Sequence, residues 1–78
     1  PNPAKSVIYI QLTGYTGSVA IQLRSLEGKM LVQQKLQMSP SITAQQTMDV
    51  SMVAGGVYLL TIIDQKGTAR SEKVIIER

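Results

Sequence analysis

Gly55-Gly56-Val57-Tyr58-Leu59-Leu60-Thr61-Ile62-Ile63 is the longest near-continuous apolar run in the sequence. It opens on two glycines, closes on Asp64-Gln65-Lys66-Gly67, and is rich in β-branched and aromatic residues. These features predict a strand. Apolar side chains fall on both sides of it: Val57, Leu59, Thr61 and Ile63 on one, Tyr58, Leu60 and Ile62 on the other. A strand covered on both faces reads this way. The run is therefore expected at the centre of the fold, with weaker strands laid around it. It is also the window most prone to aggregate, so the fold has to protect it.

On its N-terminal side, Gln46–Val50 predicts a short strand with Met48 and Val50 inward. Ser51–Gly55 is a tight connection with room for one helical turn. Further back, Ser18–Arg24 is the cleanest alternation in the chain, with Val19, Ile21 and Leu23 inward and Ser18, Ala20, Gln22 and Arg24 outward. Ser25-Leu26-Glu27-Gly28-Lys29 reads as a hairpin loop with Gly28 at the left-handed position. Met30–Met38 returns as its partner, with Met30, Val32, Leu36 and Met38 on the core side, and Ser39–Gln45, which contains Pro40, is a polar loop. Lys5–Leu12 is a first strand with Ile8, Ile10 and Leu12 on one face and Val7, Tyr9 and Gln11 on the other; a glycine-bearing turn, Thr13–Gly17, follows it. Pro1-Asn2-Pro3 is extended, because the residue before a proline is pushed away from helix. On the C-terminal side, Thr68–Arg78 is a last strand, polar at its start and apolar at Val74-Ile75-Ile76. Six strands at short spacing with glycine-bearing turns predict an all-β fold, a small antiparallel β-sandwich; a seventh strand would come from splitting Met30–Met38.

Composition narrows the chemistry. The chain's 78 residues make one domain, 1–78, whose core is of marginal size and has no cysteine to staple it. There is no Phe or Trp, so Ile, Val, Leu and Met must fill that core. With neither His nor Cys, the usual general base, thiolate nucleophile and zinc ligands are missing. The five acids, Glu27, Asp49, Asp64, Glu72 and Glu77, form no calcium-loop spacing, and the glycines form no phosphate cradle. Asp49 and Asp64 flank the long apolar run and could lie close together, but they read first as turn and strand-end residues. We therefore expect no enzyme, no catalytic residue, no cofactor, no metal and no small-molecule substrate. The net charge is +3, yet the basic residues are spread along the chain and interleaved with acids, and only three tyrosines could stack on bases. Nucleic-acid binding is not expected. No apolar stretch is long enough for a membrane-spanning helix and no secretory signal peptide is visible. The chain opens on Pro1 rather than Met, which leads us to expect a piece of a longer protein.

The order of motifs carries a resemblance. A proline-bearing opening, Pro1, Asn2 and Pro3, precedes the strand-turn-strand segment Val19–Val32 with Gly28-Lys29 in its turn. Met48–Leu60 follows, containing Gly56-Val57-Tyr58, and the chain finishes on Lys73-Val74-Ile75-Ile76-Glu77-Arg78. The series resembles the type A C-terminal sorting domain of type IX secretion cargo in the Bacteroidetes, over nearly the whole chain. It departs at Ser25, a turn position that is commonly acidic in the family. The resemblance implies an immunoglobulin-like sandwich of about seven strands that acts as an address. The parent would cross the inner membrane by its own signal, fold in the periplasm and pass the outer membrane through the translocon. A cell-surface sortase usually removes the domain there and joins the parent to anionic lipopolysaccharide, leaving it at the cell surface or outside the cell. Carried over residue by residue, recognition by the translocon falls on Gly56, Tyr58, Lys73, Val74, Ile75, Ile76, Glu77 and Arg78. Each has a plainer reading beside it. Gly56 and Tyr58 serve strand packing, Lys73 keeps an edge strand soluble, and Val74, Ile75 and Ile76 belong to the core or the sheet. The alternative function is a non-catalytic immunoglobulin- or fibronectin-like accessory or adhesion module of a surface protein. A strand-swapped homodimer is a further possible partner arrangement.

Overall fold

The computed structural model of the chain describes residues 6–38 and 43–77. Six strands follow in order: β1 (Val7–Thr13), β2 (Gly17–Ser25), β3 (Met30–Met38), β4 (Thr43–Asp49), β5 (Gly56–Ile63) and β6 (Ala69–Ile76). All pairing is antiparallel. β1 and β4 form a two-stranded sheet, and the other four form a second sheet in the order β3-β2-β5-β6. The small sheet packs on one face of the large one. Ile8, Ile10, Leu12 and Met48 from the former, with Val50 just past β4, meet Val19, Ile21, Leu23, Leu60, Val74 and Ile76 from the latter in a single core. This is a small β-sandwich, as the alternation predicts.

Period-two alternation sets which residues go inside. Ile8, Leu12, Ile21, Leu23, Met48 and Val50 are completely buried. Two turns fix the register of the large sheet. Between β2 and β3, the Ser25 N–H donates to the Lys29 carbonyl at 2.8 Å, and Gly28, at φ +98°, donates to the Ser25 carbonyl at 3.0 Å. Between β5 and β6, the Asp64 carboxylate accepts the N–H groups of Lys66 and Thr68, both at 2.9 Å, and Gly67 turns the chain at φ +87°. Asp49 likewise accepts the Ser51 N–H at 2.9 Å. Asp64 is thus a turn residue just after β5, and Asp49 closes β4 ahead of the connection to β5.

The structure corrects the sequence reading at several points. β5 does lie inside the sheet, between β2 and β6, but it is not covered on both faces. Only two strands are available as a second layer, and they cover one face. Leu59 and Ile63 on the other face are therefore half-buried and Val57 is exposed. The most deeply buried strand is β2. β3 is one unsplit strand, so the described residues contain six strands and no seventh. The register of β2 on β3 shifts between Leu23 and Arg24, and this irregularity leaves Met30 exposed rather than on the core side. Residues 51–55 form turns and bends, with no helical turn. β4 starts at Thr43, earlier than expected, so the end of the expected polar loop is strand. Ser39, Pro40 and the Pro1–Pro3 opening lie outside the described residues.

Replacing Ile21, at the middle of the buried row, by Ala should cost about 2–5 kcal/mol. The same truncation at half-buried Ile63 should cost well under half as much. The urea midpoints of the two variants, compared at equal slope, check this ranking.

Candidate functional site

Of the residues that the sequence singled out, those the structure describes, Gly56, Tyr58, Lys73, Val74, Ile75, Ile76 and Glu77, lie at one end of the sandwich, where β5 begins and β6 finishes. The register sets Lys73 opposite Leu59, Val74 opposite Tyr58, Ile75 opposite Val57 and Ile76 opposite Gly56. Alternation then divides the terminal strand. Val74 and Ile76 point into the core at 1% and 2% exposure, while Lys73, Ile75 and Glu77 are exposed. Gly56, Tyr58, Val74 and Ile76 thus share the inner face, and Lys73 and Ile75 share the outer one. Pro1, Asn2, Pro3 and Arg78 lie outside the described residues.

Tyr58 ties this end together. Its ring is half-buried against the core, and its hydroxyl donates to the Ala54 carbonyl at 2.6 Å. An amphipathic ring suits this position, with its apolar body inside and its polar tip reaching the backbone. The bond spans the β4–β5 connection, which is also held by the Asp49–Ser51 contact and by a Val53 N–H to Val50 carbonyl bond at 3.0 Å. Gly56 lies beside the ring: a Cβ built there would stand 3.6 Å from the Tyr58 Cε2. Its φ of +158° is one that residues with side chains rarely adopt.

The same end collects apolar surface that the sequence reading did not assign. Leu26, Met30, Leu31, Met52, Val57 and Ile75 are all exposed there, Met52 at 95%. Leu31, Met52, Val53, Ala54 and Tyr58 line a shallow depression between the β2–β3 hairpin and the β4–β5 connection. The signal in the sequence was a methionine and a valine inside a segment read only as a connection.

The opposite flank offers a groove between β1 and β6, floored by Leu60 and Ile62 and walled by Tyr9, Tyr15, Arg70 and Glu72. It holds one carboxylate and no nucleophile paired with a base. Among the described residues no three Asp or Glu side chains gather in a group that could hold a metal ion.

A family model described as the secretion system C-terminal sorting domain matches residues 1–77. The chain belongs to that family. It is a C-terminal sorting domain of the type IX secretion system, as the motif series resembled, and such a tail marks a protein for export to the cell surface or the extracellular space. Comparisons of the sorting domain with curated proteins and with solved structures each gave no match.

Within the sorting domain the Tyr58 hydroxyl has a measurable role. Tyr58→Phe should lower stability by about 1 kcal/mol, the worth of one hydrogen bond. It should also speed amide exchange at residues 51–55, as read by NMR, while leaving exchange at β2 close to that of the parent sequence.

Proposed function

We propose that this domain is the export address of a longer parent protein, read by the outer-membrane translocon of the type IX system after the parent has reached the periplasm. Once outside, a cell-surface sortase removes the domain and joins the parent to anionic lipopolysaccharide. The observation that carries this reading is the family match over residues 1–77. The division of the terminal strand supports it: Val74 and Ile76 anchor the strand in the core, which presents Lys73, Ile75 and Glu77 to a reader at a fixed spacing. Tyr58 and Gly56 act from beneath, holding the connection beside that strand in one shape. In this reading the domain is an adaptor and not a catalyst, in keeping with its family.

A fusion assay tests the proposal. A periplasm-targeted reporter carrying residues 1–78 at its C-terminus is expressed in a type IX-competent bacterium and in a translocon-defective strain. The reporter should reach the surface or the medium only in the competent strain. Lys73→Ala, or deletion of Glu77 and Arg78, should leave it in the periplasm with the domain still folded by circular dichroism. Retention of the unaltered fusion in both strains would favour an accessory module instead. Normal export of the Lys73→Ala and truncated fusions would remove the terminal residues from the recognised element.

A further inference from the structure

Among the described residues the outer face of the four-stranded sheet has no second layer, and its charged strand residues are all basic. Cross-strand register puts Arg24, Leu59 and Lys73 in one row across three strands. Two rows along, Lys35, Ala20, Ile63 and Ala69 form another. Between them runs an uncharged polar row, Gln33, Gln22, Thr61 and Ser71. No strand residue on this face is acidic. Glu72 stands on the inner face and Asp64 is held in its turn, while Glu77, just past the end of β6, continues the side of Lys73 and Ile75 at the margin of the face.

The Arg24 side chain is laid down on this face before any partner arrives. Its Nε and Nη2 donate to the Gln22 Oε1 at 3.1 and 2.9 Å, and its Nη1 donates to the Gly28 carbonyl at 3.0 Å. Gln22 is fixed in turn by its Nε2 donating to the Gln33 Oε1 at 2.7 Å. All of these acceptors are neutral, so the guanidinium is oriented without its charge being cancelled. Lys73 stands roughly 10 Å away, two strand spacings across the sheet, with Leu59 between the two. A cation already ordered in place loses less freedom on binding.

We propose that this face is a docking surface for a protein that presents carboxylates around a small apolar patch. The complementarity is of charge, with apolar contact through half-buried Leu59 and Ile63 and through Val57 and Ile75, which are exposed where β5 begins. All four are aliphatic, and no aromatic residue stands among the described strand residues of the face to insert among lipid tails. That geometry favours a protein surface over an anionic lipid layer.

The test is an NMR titration of the 78-residue chain with poly-L-glutamate, in parallel with vesicles containing anionic phospholipid. Two triple variants with the same change in net charge are compared. One reverses the face (Arg24→Glu, Lys35→Glu, Lys73→Glu), and the other reverses cations elsewhere (Lys29→Glu, Lys66→Glu, Arg70→Glu). Glutamine versions of both keep the comparison readable if the glutamates unfold the domain. We expect amide shifts to cluster on β2, β5 and β6 around Arg24, Leu59 and Lys73. The face variant should weaken peptide binding about tenfold or more, and the control variant less than about threefold. Equal loss in the two variants would overturn the proposal, because net charge alone would then account for binding. Binding to the vesicles without binding to the peptide would also overturn it, in favour of a lipid partner.

Discussion

The inward row of β2, Val19, Ile21 and Leu23, is the contact on which the other parts of this domain depend. A two-stranded sheet cannot cover four strands, so the dry region is narrow and centres on this row, with Ile8 and Leu12 above it. There is no disulfide, Phe or Trp to widen it. A core of this size has little to spare. Close packing of branched aliphatics is what remains, and it explains why β2 shows the strictest alternation of any segment.

The shortage of a second layer also explains the other face. Strand residues there have to tolerate water while still packing side by side. The polar row across the sheet does this with side-chain hydrogen bonds, Gln22 to Gln33 and Thr61 to Ser71, the latter at 2.9 Å between the two hydroxyls. Gln22 and Thr61 are each only 9% exposed, close to Met38 at 7% and Leu60 at 6% in the core. Side-by-side crowding, and not a covering layer, protects this face. It also accounts for the apolar character of β5 on both sides.

Much of this was legible in the sequence, because period-two alternation needs no knowledge of tertiary structure. The inward rows of β1 and β2, the Gly28 hairpin and the Asp64–Gly67 turn all follow from local rules. Less legible was anything set by partners far along the chain. Nothing local says that β1 pairs with β4 rather than with the strand that follows it, or that the large sheet would go uncovered on one side. Met30 was misplaced because a one-residue irregularity opposite Leu23 and Arg24 shifts the alternation, and irregularities of this kind leave little trace in composition. The motifs at Gly56, Tyr58 and the terminal strand were visible as a series. Their division between inner and outer faces became readable only once the β5–β6 register was known.

That division limits how the end of the chain can be read. A partner that meets the domain folded encounters alternate letters of the terminal sequence, Lys73, Ile75 and Glu77, and not the intervening Val74 and Ile76. Seeing all five in succession would require peeling β6 from β5, which breaks the ladder from Gly56–Ile76 onward and opens the core beneath Tyr58. The folded domain and its peeled tail therefore expose different sets of the same residues. The stability of the β5–β6 pairing sets which of the two is displayed.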